Sequence, residues 1–164
     1  MNMANMAQLK AKWNQKRNKV SADFYTIGYS GFSASEFVAA LQEVGVSTLI
    51  DIRRDAVSMH RPEFSKTNLR QMLEVNGIAY THYPALGVPR DLRARVADPS
   101  GRNQVWHWYD SHVAPTFAGR NLDRFFNGYD HPIALMCVEA DPRACHRHRL
   151  AMALEVHGLK GYDL

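Results

Sequence analysis

Long apolar runs are missing from this 164-residue sequence, and its first residues, MNMANMAQLK, lack the apolar core of a signal peptide. No segment approaches the roughly 18 consecutive apolar residues that a membrane-spanning helix needs. Cysteine is also scarce, and Cys137 and Cys145 alone do not make the disulfide framework of a small secreted protein. We therefore expect a cytoplasmic protein without a membrane partner, in which both cysteines are reduced thiols.

Acidic residues are absent from the first twenty positions, where five cations accumulate: Lys10, Lys12, Lys16, Arg17 and Lys19. The formal net charge of +4 rests on these cations, so the rest of the chain carries a net charge of −1. A polyanion-binding surface spread over the whole molecule is therefore not supported. We expect residues 1–22 to be a basic, flexible arm and residues 23–164 to form a single α/β domain, since this length suits one hydrophobic core.

Apolar segments that suit buried strands alternate with helical patterns along this domain. Strands are predicted at 24–30, 46–52 and 78–83, a fourth begins at 133, and a fifth starts near 160. Between the first three strands, the capping box Ser33-Ala-Ser-Glu36 begins one helix and Ser65 is placed to cap a second. The alternation predicts an α/β fold with a mainly parallel sheet of 4–5 strands flanked by helices.

A helical insertion is predicted at about 91–127, between the third and fourth strands, with breaks at Pro99-Ser-Gly101 and at Pro115. Its aromatic residues are Trp106, Trp108, Phe117, Phe125 and Phe126. We expect this aromatic cluster to form core or the inner face of a lid rather than a platform on which bases stack.

The segment 133–150 concentrates reactive side chains behind the apolar fourth strand. Asp141 followed by Pro142 is typical of a helix N-terminus, so a helix is predicted to begin at about Pro142. Cys137 and Glu139 then lie at the carboxyl end of the strand, and Cys145 to Arg147 lie in the first two turns of the helix. The helix dipole favours anions and thiolates at that position.

Parallel strands deliver their following loops to one edge of the sheet, which is where open α/β folds bind ligands. We expect a polar, anion-attracting pocket at this edge. Its predicted catalytic residues are Glu139, Cys145 and His146. Its predicted substrate-binding residues are Asp51, Arg53, Arg61, Lys66 and Arg147.

Four kinds of chemistry compete for this edge, and two of them use sulfur. Cys137 and Arg143 match the C-x5-R pattern of thiolate enzymes, but the intervening loop lacks glycine and carries two carboxylates, so Cys145 is the better nucleophile. A metal site would use Cys137, Cys145 and either His146 or His148, although the spacing C-x7-C-H-x-H is not a structural-zinc pattern.

The other two chemistries are acid–base catalysis by Glu139 or Asp51 with His146, and simple anion binding by the arginines and Lys66 without turnover. Each has a structural alternative. Cys145 could be a small buried helix residue, and the two carboxylates could form ion pairs with Arg53 and Arg147.

An ordered set of motifs resembles the domain of unknown function 488 family over about residues 24–158. The matching motifs are Tyr25-Thr-Ile-Gly-Tyr-Ser30, Leu49-Ile-Asp-Ile-Arg53, Arg61-Pro-Glu-Phe-Ser-Lys66, Pro84-Ala-Leu-Gly87, Cys137-Val-Glu-Ala-Asp-Pro142 and Cys145-His-Arg147. The resemblance implies a small bacterial or archaeal α/β protein without an assigned reaction. It also implies that Asp51, Arg53, Cys137, Glu139, Cys145, His146 and Arg147 are characteristic polar positions. The loop 54–60 departs from the small, proline-bearing turn usual in that family.

These observations predict an enzyme that acts on a small phosphorylated, nucleotide or nucleic-acid-derived substrate in the pocket. One alternative is a non-catalytic nucleic-acid or nucleotide-binding module that uses the basic arm, and deleting residues 1–20 would then abolish salt-sensitive affinity. The second alternative is a metal or redox protein that uses Cys137, Cys145 and His146. The sequence names no cofactor and no single substrate.

Overall fold

The structure is a computed structural model that describes residues 14, 19, 21–119 and 121–164. Most of the predicted basic arm therefore lies outside the described residues. The strands are β1 (Phe24–Gly28), β2 (Thr48–Asp51), β3 (Ala79–His82), β4 (Ile133–Cys137) and β5 (Gly161–Asp163). The α-helices are α1 (Ala34–Glu43), α2 (Lys66–Glu74), α3 (Arg90–Arg93), α4 (Pro99–His112), α5 (Ala114–Phe117), α6 (Leu122–Phe126) and α7 (His146–Val156).

The five strands form one sheet in the order β3-β2-β4-β1-β5, and every neighbouring pair is parallel. The predicted α/β fold with a mainly parallel sheet flanked by helices is therefore confirmed. Strand β4 enters the sheet between β1 and β2, where Gly28 pairs with Cys137 and Asp51 pairs with Met136. This order places the loops that follow β2 and β4 side by side at the carboxyl edge.

Helices cover both faces of the sheet, which explains why β1, β2 and β4 are buried along their whole length. On one face, strand residues such as Leu49 and Ile27 pack with Phe37 and Leu41 of α1 and with Leu69 of α2. On the other face, a second set of strand residues packs against helices α4 to α7; this set includes Ile50, Leu135 and Cys137. Cys137 therefore lies on the side of the sheet that the helical insertion covers.

The insertion between β3 and β4 contains the predicted helical segments but differs in its first break. Pro99-Ser-Gly101 does not interrupt a helix; it begins α4, because Asp98 accepts a hydrogen bond from the Gly101 backbone N–H at 2.7 Å and Pro99 occupies the first helical turn. The aromatic residues Trp106, Phe117 and Phe125 are buried, as expected of core or of an inner face.

Three predicted helix starts are confirmed or corrected by their caps. The Ser33 capping box is present, with Glu36 Oε2 accepting from the Ser33 backbone N–H at 2.8 Å. The helix predicted at about Pro142 begins later: residues Pro142–Ala144 form a 3₁₀ turn, and α7 begins at His146 with Cys145 as its N-cap residue. Ser65 also stands at an N-cap, but its hydroxyl does not cap α2 and instead accepts from the Ser58 backbone N–H.

Candidate functional site

Asp51 and Arg53 form a buried ion pair at the carboxyl end of β2. The Asp51 carboxylate accepts from Arg53 Nε at 2.9 Å and from Nη2 at 2.6 Å, and the two side chains are 0% and 4% exposed. Tyr80 on the neighbouring strand donates its hydroxyl to the same carboxylate at 2.6 Å. Burial, followed by the Asp51 charge, raises the pKa of Tyr80, so the phenol stays protonated and remains a donor.

Arg53 is fixed on several sides but retains one free donor. Its Nη2 also donates to the Phe64 carbonyl at 2.9 Å, and its guanidinium carbon lies 5.4 Å from the centre of the Tyr29 ring. Its Nη1 is buried without a hydrogen-bond partner among the described residues. An unpaired guanidinium nitrogen in a rigidly held arginine is suited to contact an anion.

A sulfur–imidazole cluster, consisting of Cys137, Cys145 and His146, joins the end of β4 to the start of α7. All three side chains are buried, and one potential ligand atom from each lies within 4.8 Å of the other two. His146 Nδ1 is 3.6 Å from Cys137 Sγ and 4.0 Å from Cys145 Sγ. The two cysteines are free thiols.

The backbone fixes the tautomer of His146. Its Nε2 lies 3.0 Å from the carbonyl oxygen of Ile52, which can only accept a hydrogen bond. In a neutral imidazole the proton is therefore on Nε2 and the Nδ1 lone pair is free. Cys137 Sγ lies at nearly equal distances from the two ring nitrogens, 3.6 Å from Nδ1 and 3.8 Å from Nε2, so it is not in line with the Nδ1 lone pair. The chain segment that follows β2 thus orients a side chain at the start of α7.

The two thiols have opposite pKa shifts. Burial raises the pKa of Cys137 well above the ordinary value, and hydrogen bonding and charge from Cys145 act in the same direction. Burial also opposes ionisation of Cys145, but the hydrogen bond from Cys137, the charge that His146 carries when its imidazole is protonated, and the charge on Arg147 hold its pKa well below the ordinary value. Cys145 is therefore the thiol that ionises first.

The sulfur–imidazole cluster opens into a cavity of about 140 Å³. Arg53, Glu139 and the three cluster residues line it together with residues of the insertion. Partial desolvation, followed by the charge on Cys145, raises the pKa of the Glu139 carboxyl. The volume is below the roughly 300–1,000 Å³ of common ligand pockets, so it suits one end of a substrate rather than a whole nucleotide.

Arg147, a predicted substrate-binding residue, does not line this cavity. Its side chain is fully buried and forms an ion pair with Asp163 of β5 at 3.2 Å. It also donates to the backbone carbonyls of Glu139 and Ala140, so it holds the loop after β4 against the C-terminal strand. The contacts of Arg147 are structural.

Of the other predicted substrate-binding residues, Arg53 lines the cavity, whereas Asp51, Arg61 and Lys66 do not. Asp51 is buried beneath Arg53. Arg61 pairs with Glu63 and packs over the Phe64 ring at 4.5 Å, and Lys66 is an exposed residue at the start of α2. Arg143 pairs with Asp141, so the C-x5-R pattern does not bring an arginine to Cys137.

Sequence reasoning assigned no site role to several cavity residues, among them Arg54, Asp55, Arg93 and Trp106. The sequence did offer a sign that Arg54 belongs to the site, because Arg54 directly follows Arg53, the last residue of the Leu49-Ile-Asp-Ile-Arg53 motif. Trp106 and Arg93 belong to the insertion, and only the folded chain brings them to the strand ends. Arg93 pairs with Asp55 at 2.9 Å, whereas Arg54 is exposed and lines the cavity.

The comparisons with known proteins concern family rather than reaction. A family model described as "Domain of unknown function DUF488" matches residues 33–154, which is most of the chain. No curated protein and no solved structure gives a significant match. Among the described residues, none of the helices has both the length and the apolar character required to cross a bilayer.

Proposed function

Since the chain belongs to the DUF488 family, whose description assigns no reaction, we propose a function from the geometry of its own cavity. The protein is an enzyme that binds the anionic end of a small phosphorylated or nucleotide-derived substrate. The sulfur–imidazole cluster is its chemical centre. The observation that carries this proposal is the convergence of this cluster, Arg53 and Glu139 on one cavity at the carboxyl edge of the sheet.

Arg53 and Arg54 supply the attraction for the anion. Arg53 lines the cavity and carries a buried Nη1 without a hydrogen-bond partner among the described residues, and Arg54 adds an exposed side chain to the same cavity wall. The other cavity arginine, Arg93, is already paired with Asp55. A substrate bound by Arg53 and Arg54 would therefore lie beside the thiols that are proposed to carry out the chemistry.

Glu139 supplies a proton carrier at the same wall. Its raised pKa brings the carboxyl closer to the range in which it can exchange a proton near neutral pH. His146 contributes less as a base toward Cys145, because its Nδ1 lies 4.0 Å from Cys145 Sγ, which is long even for a hydrogen bond to sulfur. The basic arm has no part in this proposal, and a nucleic-acid-binding role for it stays a prediction.

The anion preference of the cavity can be tested with two alkylating reagents that share a leaving group. Iodoacetate is an anion and iodoacetamide is neutral, so their rate ratio at Cys145 reports the local electrostatic attraction. We expect this ratio in metal-free folded protein to exceed the ratio in unfolded protein about tenfold. That corresponds to about 1.4 kcal/mol and is well below the roughly 4 kcal/mol Coulomb energy of two unit charges about 4 Å apart at an effective dielectric constant of about 20.

Arg54→Ala should remove most of this preference, whereas Arg124→Ala, an exposed arginine outside the cavity lining, should leave it unchanged. An equal ratio in folded and unfolded protein would overturn the anion site. Turnover is tested by incubation with phosphate monoesters and nucleoside monophosphates, followed by mass-spectrometric product analysis. Binding of one of these compounds without product formation would overturn the enzyme assignment and leave a binding module.

A further inference from the structure

The distances within the sulfur–imidazole cluster are close to those of a metal site. Zinc–sulfur bonds of about 2.3 Å and zinc–nitrogen bonds of about 2.0–2.1 Å require sulfur and nitrogen ligands about 3.5–3.6 Å apart in a tetrahedron. The observed separations from His146 Nδ1 are 3.6 Å to Cys137 Sγ and 4.0 Å to Cys145 Sγ. All three candidate ligand atoms lie within 4.8 Å of one another, and rotation of the Cys137 side chain would be needed to bring its Sγ from a position 3.6 Å from Nδ1 and 3.8 Å from Nε2 into line with Nδ1.

The surroundings of His146 are those of a metal-ligating histidine. A ligating imidazole usually donates its other ring N–H to a carbonyl or carboxylate, which fixes its orientation. His146 shares this feature, since Nε2 lies 3.0 Å from the Ile52 carbonyl oxygen, while Nδ1 is left available 3.6 Å from Cys137 Sγ and 4.0 Å from Cys145 Sγ. The imidazole is thus preoriented by the backbone rather than by another ligand.

The charges around the sulfur atoms also suit a divalent cation. Two cysteines buried to 3% exposure would carry two adjacent negative charges if both ionised, and a divalent ion would neutralise them. Cys145 additionally occupies the N-cap position of α7, an eleven-residue helix whose N-terminal dipole stabilises a thiolate. Thiolate and imidazole ligands select zinc or another thiophilic metal over magnesium or calcium.

We propose that Cys137, Cys145 and His146 bind one Zn²⁺-type ion, with the fourth coordination position open to the cavity. Three protein ligands with an open position are typical of catalytic rather than structural zinc sites. This arrangement also explains why the chain lacks the four-ligand spacing of structural zinc. The inference rests on the proposed function, because the metal would be the chemical centre of that enzyme and its open position would face the cavity assigned to the substrate.

The test is metal binding to purified full-length protein that has been stripped with a chelator. Titration with Co²⁺ should produce thiolate-to-cobalt charge-transfer absorption that saturates at one ion per chain, and Zn²⁺ should displace it. One equivalent of Zn²⁺ should also protect both thiols from a thiol reagent, and a chelator should restore their reactivity. Saturating Zn²⁺ that leaves either thiol as reactive as in the metal-free protein would overturn the site.

Single substitutions test which side chains bind the metal. Cys137→Ser, Cys145→Ser and His146→Gln should each lower Zn²⁺ affinity at least about 100-fold, since even residues that only support a ligand contribute 10–100-fold. The control His107→Gln, an exposed histidine in α4, should bind like the wild type. If a ligand variant fails to fold, the stoichiometry and thiol protection measured on the wild type still decide the question.

The outcomes separate this inference from the proposed function. Absence of Zn²⁺ binding together with a retained iodoacetate preference overturns the metal site and leaves the anion-binding cavity. Zinc binding without any iodoacetate preference supports the metal site and overturns the assignment of an anionic substrate.

Discussion

At the scale of single residues, the two buried arginines near the strand ends have different roles. Arg53 lines the cavity and has a buried Nη1 without a hydrogen-bond partner among the described residues, whereas every described contact of Arg147 is made within the fold. Both arginines occupy motifs that looked equally functional in the sequence. Their partners separate them, because Asp51 lies two positions before Arg53 while Asp163 is supplied by the distant C-terminal strand.

Arg147→Ala should destabilise the protein by about 3–5 kcal/mol, because the substitution leaves the buried Asp163 carboxylate without its guanidinium partner. Urea unfolding followed by circular dichroism measures the change in free energy. Arg143→Ala removes an arginine from the same segment, but its ion pair with Asp141 is partly exposed and should contribute less than about 1 kcal/mol. Equal effects of the two substitutions would contradict the structural role of Arg147.

At the scale of elements, the strands were predicted accurately because buried apolar runs are a direct signal. The start of α7, by contrast, was predicted too early in the chain. Asp141 and Pro142 do begin a turn, with Asp141 accepting from the Arg143 backbone N–H, but the extended conformation of Cys145 ends it. The sequence signals for a 3₁₀ turn and for an α-helix start are the same at this point. The later start makes Cys145 the N-cap residue beside Cys137.

The close approach of β1 to the loop after β4 gives a second prediction. A Cβ added to Gly28 would lie 1.7 Å from the backbone oxygen of Glu139, the oxygen to which Arg147 donates. Gly28→Ala should therefore cost about 3 kcal/mol or more, at the upper end of overpacking effects, because backbone must move. We expect a lower urea midpoint and altered thiol reactivity; a free energy of unfolding within about 0.5 kcal/mol of wild type would contradict this packing.

At the scale of the whole molecule, parallel topology accounts for the part of the site that was predictable. Arg53, Glu139, Cys145 and His146 were expected at one edge because all strands were expected to run in one direction, and all four line the same cavity. The contribution of the insertion was not predictable, since nothing in its spacing indicates which side chain reaches the strand ends. Trp106 is the clearest example.

The basic arm should be independent of the cavity. Deleting residues 1–20 would also remove the hydrogen bonds of Asn14 to the Asp163 backbone and the ion pair of Lys19 with Glu43, so charge substitution is the sharper experiment. Changing Lys10, Lys12, Lys16 and Arg17 to glutamine should leave the iodoacetate preference of Cys145 unchanged, because the attracting charges belong to the domain.

The same variant also tests whether the basic arm binds nucleic acid. If the arm binds nucleic acid, its affinity for duplex DNA or RNA falls, and the dependence on salt weakens with each phosphate contact that is lost. A loss of iodoacetate preference in this variant would contradict the independence of arm and cavity.

The claim that an anion site and the thiols share one cavity is tested most directly by the rate at which iodoacetamide alkylates Cys145 in metal-free protein. This rate is determined by peptide mass spectrometry over a series of inorganic phosphate concentrations. If the anion site and the thiols share one cavity, phosphate slows the reaction in the wild type and protects Arg54→Ala much less. An alkylation rate that does not change with phosphate would show that the strand ends do not bring an anion site and the sulfur–imidazole cluster together.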